Sequence, residues 1–283
     1  MPEGWRVWWA AVRPRTLSAS VVPVLVGSGL AWGEDAFRLD AAIAALIGAV
    51  AIQVAANFAN DASDAARGAD PSNRLGPPRM VASGAIPAAR MWAATWIAVA
   101  AAIGAGLWLL TIAGWPVILI GLASLLAMFG YVGGPLPYGY RAGGEISVFL
   151  FFGVVATVGS RFVHDGTAPA SAWTLSVPVG LLAAAILMVN NLRDIGTDEQ
   201  ADKRTLAVVM GRDGAAILLR GMVIGAFAVI GLGAVIRVTP PWTALALLAI
   251  VPALRLFRRL PDPLDGPGWI ALLVATSALH LQA

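Results

Sequence analysis

Long apolar stretches separated by short polar segments make up most of this chain. Nine of them approach the roughly 20 apolar residues that an α-helix needs to cross the hydrocarbon core of a bilayer. The stretches cover residues 16–33, 39–60, 91–110, 115–133, 145–162, 172–191, 214–236, 240–257 and 267–283. Tryptophans stand near the ends of several stretches, as is typical of a membrane–water interface. The pattern predicts an all-α integral membrane protein with about nine transmembrane helices, in a single domain over residues 1–283.

Composition agrees with a protein whose main solvent is lipid. Hydrophobic residues make up 59% of the chain and charged residues only 12%, whereas a soluble domain carries about 25% charged residues. There are no cysteines, which excludes disulfides, zinc–thiolate sites and a cysteine nucleophile. The two histidines, His164 and His280, are far apart in sequence, so we do not expect a histidine-based metal site.

The basic residues predict the orientation of the helices. Of the 19 Lys and Arg residues, 15 fall in the N-terminus, in loops 61–90, 134–144 and 192–213, and in the link after Arg255. Cytoplasmic loops of membrane proteins carry such an excess, so these segments are predicted to be cytoplasmic and the C-terminus external. Residues 1–15 mix tryptophan with arginine and lack a signal-cleavage pattern. They predict an amphipathic segment at the membrane surface, with a frayed tail as the alternative.

Two of these cytoplasmic loops begin with clustered amides and carboxylates. The first cluster ends the second apolar stretch and the other ends the sixth. Their members are Asn57, Asn60, Asp61 and Asp64 in the first segment, and Asn190, Asp194 and Asp198 in the second. Residues four apart share one face of a helix. The two segments therefore form a loose repeat, in which an amide is followed by carboxylates one helical turn later.

These carboxylates require positive partners. Acidic residues at a helix C-terminus oppose the helix dipole, and an aspartate at the centre of a membrane helix costs about 2.5–3.5 kcal/mol. One interpretation is a salt-bridge network with nearby basic residues. The other is Mg²⁺, which takes carboxylate oxygens and completes its shell with substrate phosphates. Basic residues would then contact the remaining phosphate oxygens; they are Arg67, Arg74, Arg79, Lys203 and Arg204. Together these features fit a diphosphate bridged by metal.

The two aspartate-rich segments resemble those of the UbiA superfamily of intramembrane prenyltransferases. The resemblance runs nearly end to end, and within the superfamily it is strongest to the group that prenylates 1,4-dihydroxy-2-naphthoate in menaquinone synthesis. The stretches that carry it are residues 13–23, 60–70, 76–79, 131–135, 137–141, 190–195 and 203–206. It implies nine transmembrane helices around a central cavity, with Mg²⁺ and an isoprenyl diphosphate held between two Asp-rich motifs.

The resemblance also implies roles for particular residues. Asp61, Asp64, Asp194 and Asp198 are the expected catalytic carboxylates. The expected metal ligands are Asn60, Asp64, Asp70, Asp194 and Asp198. The expected substrate-binding residues are Arg67, Arg79, Tyr131, Tyr138, Arg141, Asn190, Lys203 and Arg204. One position departs from the superfamily pattern, because Gly68 stands where some members have a further carboxylate. Asp70 is expected to replace it.

The implied reaction transfers a polyprenyl group from polyprenyl diphosphate to 1,4-dihydroxy-2-naphthoate. Carbon dioxide leaves, and demethylmenaquinone is formed. Tyr131, Tyr138 and Tyr140 would line the path of the allylic cation, with an ordinary interfacial belt as the alternative. Arg141 or Arg15 would hold the acceptor carboxylate, although Arg13 and Arg15 also fit plain positive-inside residues. The expected location is the bacterial cytoplasmic membrane, with the lipid bilayer and the two substrates as partners and no nucleic acid.

Several alternatives stay open at this point. Related prenyltransferases use 4-hydroxybenzoate, homogentisate or haem as acceptors. Secondary transporters also place polar residues on broken helices, but near the midplane of the membrane. The sequence leaves the length of the donor chain and the oligomeric state open.

Overall fold

A computed structural model describes residues 4–69, 75–133, 137–259 and 265–283. Asp70, Arg74 and Pro135 lie outside the described residues. The helices within them are α1 (Trp5–Val12), α2 (Ser18–Gly33), α3 (Leu39–Ala66), α4 (Ala88–Ala113), α5 (Pro116–Val132), α6 (Gly144–Val148), α7 (Ala156–Asp165), α8 (Ala170–Gln200), α9 (Leu206–Val235), α10 (Ile250–Arg259) and α11 (Gly266–Gln282). Short 3₁₀ segments cover Pro14–Thr16 and Tyr138–Tyr140, and a longer one, Pro241–Ala249, leads into α10. A π-helical segment, Phe149–Val155, joins α6 to α7.

The all-helical membrane fold that the hydrophobic pattern predicted is confirmed. Within the described residues, six helical segments are long and apolar enough to cross a membrane, or seven if α1 and α2 form one bent span. The bend between those two helices is 54°. Helix α5 is apolar but shorter. A helix covers most of each of the nine predicted stretches, while nine complete crossings remain a prediction.

The two motif-bearing helices continue beyond the apolar stretches that predicted them. The second stretch was expected to end at residue 60, but α3 continues to Ala66. The sixth was expected to end at residue 191, but α8 continues to Gln200. Hydropathy marks only the part of a helix that lies in lipid. The polar extensions stay helical because their side chains are buried against other parts of the protein, and both Asp-rich motifs therefore lie on helices.

Helix α8 forms the centre of the packing. It is the most buried of the candidate spans, and α9, α11 and the π-helical segment pack around it. A close approach joins Gly153 of the π-helical segment to Gly180 of α8. A Cβ atom added to Gly153 would lie 2.4 Å from the Gly180 Cα. Glycine at both positions lets the two backbones touch, as small residues do between membrane helices.

A charged cluster joins the helix ends opposite the Asp-rich motifs. Arg161 of α7 is buried and donates hydrogen bonds to Glu34, which caps α2, and to Asp165. His164 accepts a hydrogen bond from the Arg38 backbone amide and lies 3.2 Å from the Ser28 hydroxyl. A buried arginine is stable only when it is paired, so this cluster fixes the positions of α2, α3 and α7 at that end.

Candidate functional site

A large cavity of about 730 Å³ lies between the helices and is lined by residues of both Asp-rich segments. Along α3 its lining runs from Ala45 to Asp64. At 1.5 Å per residue this span is about 29 Å, close to the thickness of a hydrocarbon core. Polar side chains line the end near Asp64 and Asp194, and mostly apolar side chains line the rest. The cavity therefore has a charged end and an apolar tunnel.

Asp64 is buried at the charged end and is held by two side chains. The Tyr140 hydroxyl donates a hydrogen bond of 2.6 Å to Asp64 Oδ1. A guanidinium nitrogen of Arg79 lies 3.9 Å from Asp64 Oδ2. Burial and the adjacent Asp64 carboxylate raise the pKa of Tyr140 well above its ordinary value. The tyrosine therefore stays protonated and acts as a donor to the carboxylate.

Tyr140 also contacts the basic residues of both motif segments. The Arg67 guanidinium lies 5.2 Å from the centre of its ring, and Lys203 Nζ lies 5.1 Å from it. The Tyr140 carbonyl accepts a hydrogen bond from the Arg204 backbone amide. Cations at these distances are attracted to an aromatic face. Tyr140 thus connects the end of α3 to the loop after α8, a role that its sequence position alone did not reveal.

Asp61 occupies a different environment from Asp64. Its two carboxylate oxygens accept hydrogen bonds of 3.1 Å and 2.9 Å from the backbone amides of Met80 and Val81. The side chain is 1% exposed. A carboxylate that accepts such bonds fixes the loop that donates them. Asp61 thereby orients the segment that carries Arg79, and it also lines the cavity; its catalytic role stays a prediction.

In the second motif, Asp194 is paired with its neighbour in the chain. The Arg193 guanidinium donates two 2.7 Å hydrogen bonds to Asp194. Its Nε bonds to Oδ1, and one of its terminal nitrogens bonds to Oδ2. Both residues are buried and line the cavity. Gly76 packs directly on the guanidinium, since a Cβ there would lie 2.9 Å from Arg193 Cζ. The Gly76 backbone, from the segment after the first motif, therefore meets the Arg193 side chain of the second motif.

Asp198 lies one turn beyond Asp194 but is not among the residues that line the cavity. It is buried, and its carboxylate lies 3.7 Å from Lys203 Nζ. The Asp198 carbonyl also accepts a 2.8 Å hydrogen bond from the Lys203 backbone amide. These contacts hold Lys203, which does line the cavity, in position. The role of Asp198 as a metal ligand stays a prediction.

The structure divides the remaining predicted residues into two groups. Those that line the cavity are Asn60, Arg79, Tyr131, Tyr138, Asn190 and Lys203. Arg67, Arg141 and Arg204 are exposed and are not among the lining residues. Asp70 lies outside the described residues. Arg193, which was not among the predicted substrate-binding residues, is in the lining.

Two tyrosines stand between the charged end and the tunnel. The rings of Tyr131 and Tyr138 pack edge to face, with centroids 5.6 Å apart. The Tyr138 hydroxyl donates to the Ala127 carbonyl and accepts a 3.1 Å hydrogen bond from Ser147. Aromatic faces in this position can stabilise a carbocation that forms in the cavity.

The N-terminal segment contributes further positive charge. Arg6, Arg13 and Arg15 all line the cavity, and the role of Arg15 there stays a prediction. Helix α1 is fixed over α3 because Trp8 packs edge to face on Phe58. Asn57 donates a 2.8 Å hydrogen bond to the Val12 carbonyl at the end of α1. These arginines can bind an anionic group at the mouth of the cavity.

The donor set fits Mg²⁺ together with a phosphate ligand. Asp64 and Asp194 line one cavity, and the amide side chains of Asn60 and Asn190 accompany them. Among the described residues, no three His, Cys, Asp or Glu side chains are grouped closely enough to hold a metal by themselves. The usual Mg²⁺ site uses one or two carboxylates completed by water and substrate phosphates, and Asp64 and Asp194 are carboxylates of that kind in the cavity lining.

Comparison with known proteins decides the family. Residues 20–276 match the model of the UbiA prenyltransferase family. The chain belongs to this family. The resemblance of its two Asp-rich segments to UbiA prenyltransferases is thereby confirmed.

Relatives within the UbiA family cover most of the chain. A protein of Mycobacterium tuberculosis (strain ATCC 25618 / H37Rv), 1,4-dihydroxy-2-naphthoate octaprenyltransferase, is 39% identical over 251 residues, which are 88% of this chain and 84% of that protein. The protein of the same name from Mycobacterium leprae (strain TN) is 36% identical over 92% of this chain and 87% of its own. Among solved structures, a UbiA homolog from Archaeoglobus fulgidus bound to GPP and Mg²⁺ has a TM-score of 0.68 at 14% identity, covering 98% of this chain and 97% of that one. That likeness supports the UbiA fold.

Proposed function

We propose that this chain transfers a polyprenyl group from polyprenyl diphosphate to 1,4-dihydroxy-2-naphthoate, with loss of carbon dioxide. The observation that carries the proposal is the cavity itself, because both motif carboxylates and several basic residues surround the charged end of one apolar tunnel. A prenyl diphosphate has the same division into a polyanionic head and an apolar chain. The mycobacterial relatives named for this activity support the choice of acceptor.

The charged end binds the donor diphosphate. Asp64 and Asp194 would hold Mg²⁺, with the Asn60 side chain nearby, and bound Mg²⁺ would neutralise charge on the departing diphosphate. Arg79 and Lys203 donate hydrogen bonds to its outer oxygens. Asp61 keeps the Arg79 segment in place through the Met80 and Val81 amides.

The bond changes balance without an external base or oxidant. The allylic C–O bond breaks, and its electron pair leaves with the diphosphate. The ring carbon that carries the carboxylate of the naphthoate forms the new C–C bond with the allylic carbon. The carboxylate then leaves as carbon dioxide, and its bonding electrons return to the ring, so the product is the quinol form of demethylmenaquinone. The quinone itself would require a further two-electron oxidation. Tyr131 and Tyr138 face the cavity where the cationic character develops, and their rings stabilise it.

The acceptor carboxylate is held by arginines from the N-terminal segment. Arg13 and Arg15 line the cavity and are the groups best placed to pair with it. Arg141, which the sequence offered as the alternative, is exposed and absent from the lining. We assign the charged end to the cytoplasmic face of a bacterial cell membrane, because 15 of the 19 basic residues fall in that set of segments.

Membranes containing the protein test this function when they are given carboxyl-labelled acceptors. With 1,4-dihydroxy-2-naphthoate and a polyprenyl diphosphate, labelled carbon dioxide should be released in step with prenylated product. Membranes without the protein, and reactions without the diphosphate, provide the controls. Prenylated 4-hydroxybenzoate that retains its label, with no turnover of the naphthoate, would contradict the proposed acceptor.

A further inference from the structure

The Asp194 carboxylate has a cationic partner within the protein. Both of its oxygens accept 2.7 Å hydrogen bonds from the Arg193 guanidinium. The side chains of Arg193 and Asp194 are 4% and 10% exposed. A buried bidentate pair of this kind is strongly held, and breaking it leaves an uncompensated charge. A cation that binds Asp194 must therefore compete with Arg193.

The position of Arg193 is controlled by the other half of the site. Gly76 follows the first motif in the chain, and its Cα faces the guanidinium so closely that a methyl group there would lie 2.9 Å from Cζ and 3.1 Å from Nε. Arg193 also lines the cavity that receives the diphosphate. The guanidinium thus lies between Asp194, the Gly76 backbone and the space where a polyanion would bind.

We propose that Arg193 acts as a placeholder on Asp194 and makes metal binding depend on the diphosphate. A divalent cation arriving alone meets the positive guanidinium and a carboxylate that is already paired. A cation arriving with a diphosphate brings phosphate oxygens to which the guanidinium can transfer its two hydrogen bonds. Asp194 then binds the metal while no buried charge is left unpaired. This inference rests on the proposed function, since it assumes that the site receives a diphosphate.

The consequence is positive coupling between metal and diphosphate. Coupling of this kind is reciprocal, because each ligand must raise the affinity for the other by the same factor. It would keep the site from filling with metal when no donor is present. Arg193 is thus a positioning residue for Asp194 and a ligand of the bound donor.

The test is equilibrium dialysis of radioactive Mn²⁺, as a substitute for Mg²⁺, against the purified full-length protein with and without inorganic diphosphate. Bound Mn²⁺ is taken as the excess of Mn²⁺ in the protein compartment over the other compartment. Complexes of Mn²⁺ with free diphosphate are equal on both sides and therefore cancel. Wild type should bind Mn²⁺ about tenfold more tightly, or better, when diphosphate is present. In Arg193→Gln the binding of Mn²⁺ alone should become about tenfold tighter, and the added effect of diphosphate should largely disappear.

A second variant moves the guanidinium without changing any charge. In Gly76→Ala the new methyl group displaces the flexible end of Arg193, so Mn²⁺ alone should again bind more tightly than to wild type. This variant keeps the inference testable if Arg193→Gln does not fold. Arg90→Gln removes an exposed arginine that is not part of the cavity lining and should leave both affinities at the wild-type values.

Weaker or unchanged binding of Mn²⁺ alone in both Arg193→Gln and Gly76→Ala would overturn the inference, because Arg193 would then only support the shape of the site. A prenyl-transfer assay on the same wild-type preparation separates this failure from a failure of the proposed function. If wild type transfers the prenyl group while the variants show no gain in metal affinity, the placeholder role alone is wrong.

Discussion

Tyr140 is a residue that links the two halves of the site. Its hydroxyl holds Asp64, its ring contacts Arg67 and Lys203, and its carbonyl accepts a hydrogen bond from Arg204. A substitution that removes only the hydroxyl separates the hydrogen bond to Asp64 from the cation contacts of the ring.

In Tyr140→Phe the carboxylate of Asp64 loses a charge-assisted hydrogen bond, a loss of about 1.5–3 kcal/mol. We expect kcat/KM for the prenyl diphosphate to fall about tenfold or more, with little change in the unfolding temperature because the ring remains. Tyr140→Leu, which also removes the ring, should lose more activity. Steady-state kinetics in detergent measure both. A Tyr140→Phe enzyme with wild-type kcat/KM would show that the Asp64 contact has no catalytic consequence.

At the residue scale, spacing predicted which polar side chains cluster. It could not predict which of them hold a loop in place and which face the ligand. Asp61 and Asp64 are both carboxylates at the end of α3, yet only Asp61 is held by the amides of Met80 and Val81. Those amides come from about 20 residues further along the chain, so a local pattern contains no sign of them. The contact between Gly76 and Arg193 escaped sequence analysis for the same reason.

At the element scale, hydropathy located the helices but not their polar ends or their crossings. The crossing of the π-helical segment with α8 depends on two glycines that read as ordinary apolar residues in the sequence. Phe151, Phe152 and Val155 of that segment line the cavity. The close approach at Gly153 and Gly180 therefore also sets the shape of the tunnel.

Gly153→Ala should be strongly destabilising, because its methyl group would lie 2.4 Å from the Gly180 Cα and 2.9 Å from backbone atoms of α8. Overpacking against side chains costs about 1–3 kcal/mol, and backbone yields less easily, so we expect about 3 kcal/mol or more. Gly104→Ala in α4 is the matched control, since nothing lies within 4 Å of its added methyl group. It should be neutral or gain about 0.5–1 kcal/mol. Thermal unfolding in detergent compares them, and equal midpoints would contradict the tight crossing.

At the scale of the whole molecule, the two ends of the helix bundle have different chemistry. One end carries the Asp-rich segments, the cavity mouth and most of the basic residues. The other carries the Arg161 cluster with Glu34 and Asp165, and these charges are paired with one another. Charge asymmetry in the sequence predicted which end faces the cytoplasm, and family membership agrees with the predicted fold.

This orientation can be tested by cysteine labelling, because the chain has no cysteine of its own. Gln200 at the end of α8 and Ala168 in the opposite loop are both exposed. In intact cells a membrane-impermeant thiol reagent should label Ala168→Cys and leave Gln200→Cys unlabelled until the cells are opened. Labelling of Gln200→Cys from outside would invert the topology and place the charged end on the external face.

We expect Asp64 and Asp194 to act together as one divalent-cation site for the diphosphate. The most direct measurement is prenyl transfer by the purified protein in EDTA, followed by titration with Mg²⁺, for wild type, Asp64→Asn and Asp194→Asn. Wild type should lose activity in EDTA and regain it with Mg²⁺. Each variant should stay folded yet remain at least about a hundredfold less active at saturating Mg²⁺. Full activity in EDTA, or near-normal turnover in both variants, would show that these two carboxylates do not hold a catalytic cation.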